Sequence, residues 1–408
     1  MTAPAILVIG NCCQTITIIR SLSGAGYYVI VGRDDKRAFT QYSRYTDEVW
    51  RHPDILICEK DFADALGRFL AARKDVALVF PVGETDINCL MRHGNVIPSA
   101  VGLVMADPVT IRACFDKFRL YELVAQLGIP HVEFHKVSHY AELESSIGRL
   151  GYPCVVKPNN SRTAFFEMKA VILGTAADLK KKLPAWPEGN EFLILQKFAS
   201  GYRHNCHFIA DRGRLLAYFE QRVLRTDMLD GTGVGVHGIS CAPTAKLREY
   251  CLLLLQKLNY SGAGCAQFLV DDQSGTVNFL EINPRLDATC AVPFYCGYDF
   301  PRMAVLYAEY RRGAWSQPPA NTSAYPAGKH GVSLWRDILG WRRAVKTKKL
   351  DRKDSRTWLW NMMLTFLRGD FHLTWSWKDP LPTCYRYAQM ATSAFARLAG
   401  IVGSGSKK

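Results

Sequence analysis

Apolar residues run unbroken through Ala5-Ile6-Leu7-Val8-Ile9, resume at helical spacing from Thr15 to Ala25, and run again through Tyr27-Tyr28-Val29-Ile30-Val31. An unbroken apolar run suits a strand covered on both faces, so this opening predicts a β-α-β unit of a parallel sheet. Val76 to Phe80 and Val101 to Met105 add two more runs of that kind. Further on the pattern changes. A helical stretch follows Ala113-Cys114-Phe115-Asp116-Lys117-Phe118 and ends near Gly128-Ile129-Pro130, and apolar strands then recur at Cys154–Lys157 and Phe192–Phe198. Leu247–Leu258 and Arg302–Arg311 read as helices. Between them, Phe268-Leu269-Val270 and Val277–Leu280 flank Asp271-Asp272-Gln273-Ser274-Gly275, which predicts a hairpin. The expected fold class is α/β followed by α+β, with a mainly helical C-terminal extension.

The length of 408 residues suits two to three domains, and 48% hydrophobic with 22% charged residues suits a globular chain. No apolar run approaches the roughly 18 residues that would cross a bilayer, and no basic segment precedes an apolar core at the N-terminus, so a cytoplasmic location is expected. Thirteen cysteines, an odd number scattered through apolar segments, read as reduced thiols. The net charge of +14 is concentrated partly in residues 341–356.

Chemistry gathers at the hairpin. Glu281 and Asn283 stand two apart and share a strand face, and Gln267 can reach that face from the partner strand. One carboxylate and two amide oxygens suit Mg²⁺, which takes few carboxylates and completes its shell with phosphate and water. Arg285 adds a cation. A surface hairpin with a polar face would carry the same residue types, so the order of signals upstream matters. Gly151-Tyr152-Pro153-Cys154-Val155-Val156-Lys157-Pro158 places a lysine at the end of a buried strand, a costly position without an anion. Pro81-Val82-Gly83-Glu84-Thr85-Asp86 puts polar side chains where open α/β sheets bind ligands, with Glu84 suited equally to a substrate amine or to capping a helix Asp86–Arg92. Gly10 is followed by Asn11-Cys12-Cys13-Gln14, which is not the dinucleotide fingerprint. His204 and His207, three apart in a strand, would point to opposite faces, which argues against zinc.

The Gln267…Glu281-Ile282-Asn283-Pro284-Arg285 hairpin resembles the metal hairpin of the ATP-grasp superfamily, and its version with Gln and Pro-Arg resembles the carbamoyl-phosphate synthetase large chain. Asp116-Lys117, the Lys157 segment and Leu195-Gln196-Lys197-Phe198 occur in family order. The resemblance covers about residues 1–311. It implies a pre-ATP-grasp domain over 1–112 and an ATP-grasp domain over 113–315, with a small flap lobe at about 130–192. Residues 316–408 then form a linker and a basic, Trp-rich extension. It also implies that Lys117 and Lys157 reach nucleotide phosphates, that Gln196, Lys197 and Phe198 border the adenine, and that His204 meets the ribose or phosphates. Gln267, Glu281 and Asn283 would hold one or two Mg²⁺, with Mn²⁺ as a substitute. Arg285, Lys157 and His237, the last from the loop Gly231–Gly238, would serve catalysis.

The family's glycine-rich flap is replaced by Asn159-Asn160-Ser161-Arg162-Thr163-Ala164, in which Arg162 and its hydroxyl neighbours would substitute side-chain donors for backbone amides. Lys169 is a further candidate for phosphate. A second arginine three residues after Arg285 is absent; Ala288 stands there, with Asp287 and Thr289 beside it. The implied activity is an ADP-forming ligase that activates a carboxylate as an acyl phosphate and couples it to an amine, both small molecules, with a homodimer admitted. Three alternatives remain: biotin-carboxylase-like carboxylation, carbamoyl-phosphate synthesis, which would ordinarily need a much longer chain, and a non-catalytic nucleotide-binding module at a membrane or polysaccharide-assembly complex. The extension interleaves Trp335, Trp341, Trp358, Trp360, Trp375 and Trp377 with basic residues, which suits a helical cap, peripheral membrane contact, or, less well, nucleic acid.

Overall fold

A computed structural model describes residues 4–34, 38–159, 165, 169–347 and 349–398, with side chains described to residue 392. The chain divides into two units, Met1–Leu103 with His372–Lys408, and Val104–Phe371.

The first unit is built on the predicted parallel sheet. Strands β1 (Ala5–Ile9), β2 (Tyr28–Arg33), β3 (Glu48–Arg51), β4 (Val76–Pro81) and β5 (Gly102–Leu103) lie in the order β3-β2-β1-β4-β5. Every residue of β1 is buried, as its unbroken apolar run requires. Helices α1 (Cys13–Gly24), α2 (Glu59–Ala72) and α3 (Glu84–Arg92) connect the strands. The strand order reverses between β1 and β4. There Gly10 takes φ +114°, and a side chain on it would meet the Asp86 carboxylate at 2.5 Å. Asp86 turns back to accept the Gly83 N–H at 2.8 Å, so α3 begins two residues before the expected start, with Glu84 as its first residue.

This unit also holds the C-terminal helix Leu381–Leu398. Asp379, just before that helix, accepts Arg20 Nε at 3.0 Å, Ser43 Oγ at 2.8 Å and the Arg44 N–H at 3.0 Å. The expected extension from residue 316 is therefore divided, with residues 316–371 in the second unit and the remainder in the first.

In the second unit, α4 (Pro108–Phe115) and α5 (Lys117–Gln126) lead into a four-stranded antiparallel sheet of β6 (Phe134–Val137), β7 (Cys154–Pro158), β8 (Val171–Leu173) and β9 (Leu193–Lys197), ordered β6-β9-β7-β8. One face carries Cys154, Val156, Leu193 and Leu195 into a core with Leu143 and Ile147 of α6 (Tyr140–Leu150) and Leu179 of α7 (Ala176–Lys182). By alternation the other face presents Val155, Lys157, Ile194 and Gln196.

The larger sheet comprises β10 (Tyr202–Asp211), β11 (Arg214–Thr226), β12 (Gly235–Cys241), β13 (Gly262–Val270), β14 (Val277–Asn283), β15 (His330–Val332) and β16 (Phe371–His372), ordered β14-β13-β10-β11-β12-β15-β16. Helix α8 (Ala245–Lys257) covers one face, where its Tyr250 ring lies 6.3 Å from that of Phe268. The short α9 (Ala291–Tyr295) precedes α10 (Phe300–Arg311), whose Phe300 meets His207 on the other face. Helices α11 (Leu334–Lys346) and α12 (Arg352–Arg368) pack on each other, as the helical reading of the extension predicts. No described helix is long and apolar enough to cross a membrane.

Candidate active site

The hairpin β13–β14 forms with Gln267 directly opposite Glu281 and Cys265 opposite Asn283. Opposed residues of an antiparallel pair share a face, so the carboxylate and both amides stand together as expected. Between Gln267 and Phe268 the register slips, leaving Leu280 as the extra residue of a bulge. Asn283 Nδ2 donates to Glu281 Oε1 at 3.0 Å, and its carbonyl oxygen accepts from Arg285 at 3.2 Å. Arg285 also donates to the Leu286 carbonyl at 3.1 Å, so it is held beside the pair.

Cations converge on Glu281. Burial works against its charge, yet Lys117, Lys169 and Lys157, with the Asn283 hydrogen bond, hold the carboxyl down at about 2. The three lysines come from separate elements: the first residue of α5, the segment before β8, and the end of β7. Asn159 fixes the first against the third, since its carbonyl accepts the Lys117 N–H at 3.3 Å and its side chain accepts the Phe118 N–H at 2.9 Å. Burial pushes the Lys157 ammonium down to about 8, with Glu281 pulling the other way. Lys157 Nζ donates to the Tyr121 hydroxyl at 2.9 Å, and that hydroxyl donates to the bulged Leu280 carbonyl at 2.6 Å. Tyr121 thereby ties α5, β7 and β14 together. Three lysines facing one carboxylate leave a surplus of two positive charges, and Arg285 raises it. A surplus of this kind among the described residues, in a half-buried site, suits an anion.

Other expected residues fall in different places. Gln196 is 4% exposed on the Lys157 face of its sheet, and its Nε2 meets no hydrogen-bond partner among the described residues. The backbone N–H groups of Lys197 and Phe198 are spent on the Glu133 and Pro153 carbonyls, so recognition by these two residues would run through their own carbonyls. Arg162 lies outside the described residues. His204 is turned to the opposite sheet face from Gln267: β10 opposes β13 with Asn205 facing Gln267 and His204 facing Phe268. Its Nδ1 instead meets Glu220 at 2.8 Å, a buried carboxylate also held by Thr244. His237 sits on β12, three strands from β13, with its Nε2 2.8 Å from His330 Nδ1. Burial, then His330, Arg225 and Arg368, keep its ring neutral, pushing it down to about 4. The structure does not bring His204 or His237 to Glu281.

Residues on the Gln267 face that the motif reading passed over are Arg203 and Asn205. Asn205 Nδ2 donates to Asp287 at 3.2 Å and to Thr289 at 3.1 Å, and Gln221 also donates to Thr289. The Asp287 carboxylate and Thr289 hydroxyl, which flank Ala288, thus line the same sheet face. Burial opposes the Asp287 charge, but His207, Arg285 and Thr289 hold it at about 2.

Residues 237–308 match the carbamoyl-phosphate synthase L chain, ATP binding domain. This segment contains the whole hairpin. The chain is thus similar to ATP-grasp proteins. It is 22% identical over 319 residues to the carbamoyl phosphate synthase large chain of Pseudothermotoga lettingae, covering 71% of this chain and 27% of that one. It is 21% identical over 222 residues to the arginine-specific large chain of Bacillus subtilis, covering 53% and 21%. The chain thus spans about a quarter of the length of the curated relatives it matches. Among solved structures it superposes on an N5-carboxyaminoimidazole ribonucleotide synthetase in complex with ADP (TM-score 0.63, 16% identity, 85% of this chain and 86% of that one). It also superposes on biotin carboxylase from Campylobacter jejuni (TM-score 0.62, 17%, 80% and 74%) and on an L-amino acid ligase from Bacillus licheniformis (TM-score 0.56, 15%, 76% and 74%). These likenesses agree with the two sheets of the second unit forming the ATP-grasp fold.

Proposed function

We propose that this chain is an ADP-forming ligase that activates a carboxylate with Mg-ATP and couples it to an amine. The observation that carries this reading is the convergence of Lys117, Lys157 and Lys169 on Glu281, a carboxylate held ionised beside Gln267 and Asn283. The donor set fits Mg²⁺: Glu281 offers a carboxylate, Gln267 opposes it in register, and the Asn283 oxygen is shared with Arg285. Glu281, Gln267 and Asn283 would hold Mg²⁺, which would supply positive charge against the nucleotide phosphates.

The protein's own part is positioning and electrostatics. Lys117, Lys157 and Lys169 receive the phosphate oxygens, and Tyr121 sets the direction of Lys157. Arg285, fixed by Asn283 and the Leu286 carbonyl, faces charge that develops on the transferring group. A carboxylate oxygen attacks the γ-phosphorus as the bond to ADP breaks. The amine then attacks the acyl carbon, loses a proton, and phosphate leaves. No side-chain nucleophile is required. Asn205, Asp287 and Thr289 border the place where the acceptor would bind, and Asp287 gives it a negative charge that suits an amine.

Bicarbonate is one carboxylate this chemistry accepts, and the carboxylases among the structural neighbours favour including it. Phosphate release from Mg-ATP, measured across acids and amines supplied singly and in pairs with bicarbonate among the acids, tests the proposal. Release that requires a pair supports it, whereas ATP binding with no release under any pair favours a nucleotide-binding module.

A further inference from the structure

Helix α12 turns an apolar face away from the protein. Its inward side is marked by Trp358 and Thr365, 8% and 7% exposed. Trp358 Nε1 donates to Asp337 at 2.7 Å, and Trp341 Nε1 on α11 donates to Ser355 Oγ at 2.9 Å, so the helix is fastened on that side. On the opposite side Leu359, Trp360, Met363 and Leu367 are 38% to 70% exposed. Their spacing of i, i+1, i+4 and i+8 makes one continuous stripe. An apolar stripe of this size facing water marks a docking surface.

Charge identifies the occupant. Residues 341–356, which lead into the stripe, hold eight lysines and arginines against two aspartates, a balance of +6 (8 − 2). Arg352, Lys353 and Arg356 at the start of α12 and Arg368 at its end are exposed. A second copy of this chain would bring one such basic segment against another. A nucleic acid would satisfy the charge but offer nothing to Leu359, Met363 and Leu367. An anionic lipid surface satisfies both, because acyl chains receive the apolar stripe while headgroups receive the basic flank. We propose that α12 docks the protein, lying flat, on an anionic membrane surface. This inference is independent of the ligase reading.

The test is flotation of the full-length protein with phosphatidylcholine vesicles, with and without phosphatidylserine. Binding is expected only to the vesicles that contain phosphatidylserine. The paired substitution Trp360→Ser with Leu367→Ser should lower that binding at least about tenfold, given two large apolar side chains removed from the contact. Its circular dichroism and melting temperature should not move. Arg352→Glu with Arg356→Glu should weaken binding as added salt does, and it keeps the test decisive if the first variant fails to fold. Absence of binding to either vesicle, or equal binding by both variants, would overturn the proposal. So would a dimer in lipid-free solution that Trp360→Ser with Leu367→Ser dissolves, or retention on single-stranded RNA in preference to vesicles.

Discussion

Glu281 is the residue on which the site turns. Its depressed pKa means that the stability it contributes is present above the ordinary carboxylate range near 4.3 and is lost as pH falls toward about 2. Glu281→Gln should therefore leave the protein folded at pH 7 but weaken Mg²⁺-dependent nucleotide binding by about 100-fold or more, as removal of the carboxylate from the proposed Mg²⁺ donors requires. Calorimetric titration with and without Mg²⁺ checks this, and wild-type affinity in the variant would remove Glu281 from the site. Lys157 gives a second signature. At pH 8.5 an ammonium held near 8 is mostly neutral, and a phosphate beside it favours the charged form, so binding should take up a proton. The dependence of binding heat on buffer ionisation should register that uptake, and Lys157→Met should erase it. In the free protein the same shift costs stability below pH 8 and relieves it as pH rises toward 10.4. Glu281, Asn283 and Lys157 were legible as candidates because each sits in a short motif that an anion or a metal would explain. Tyr121 was not, since a tyrosine on an amphipathic helix carries no mark of what its hydroxyl will meet.

At the scale of elements, the sequence located strands such as β1, β4, β7, β9 and the β13–β14 hairpin but missed β11 and β12, and it gave no phase for β10. β10 is buried along most of its length, so alternation gives no clue to which residues share a face with Gln267. The register with β13 decides it, favouring Arg203 and Asn205 over His204. His204→Phe should then act on stability, because it strips a partner from the buried Glu220, at a cost of about 1–3 kcal/mol. Thermal melting should show the loss while KM for ATP stays within about twofold, and a large rise in that KM with unchanged melting would return His204 to the nucleotide. A similar phase argument explains His237: a loop histidine near glycines reads as mobile, whereas β12 continues through it and pairs it with His330. Gly264 shows how tightly the central strands meet, since a side chain there would collide with the Phe208 ring. Gly264→Val should cost about 1–3 kcal/mol or more through overpacking, visible as a lowered melting temperature.

The whole molecule is less legible than its parts. The N-terminal parallel sheet follows from apolar runs, but the division of the C-terminal segment between units rests on scattered contacts, among them those of Asp379 in a Trp-rich stretch and of Arg386 with the Phe39 ring. The Asp379 carboxylate gathers Arg20, Ser43 and the Arg44 N–H from distant parts of the chain, and both side chains of the ion pair are nearly fully buried. Arg20→Met would leave that carboxylate without its cation at a cost of about 3–5 kcal/mol, so limited proteolysis should cut ahead of Leu381 much faster than in the wild type. Sequence separation of more than 300 residues hides such a clasp from any local pattern. The ligase reading rests on the second unit, where cations from three elements surround one carboxylate. Its most direct test is phosphate release from Mg-ATP with acids and amines supplied in pairs, run beside Glu281→Ala. Release that needs both an acid and an amine and vanishes in the variant is the predicted result. Release that persists in Glu281→Ala, or binding of ATP without release under any pair, would contradict it.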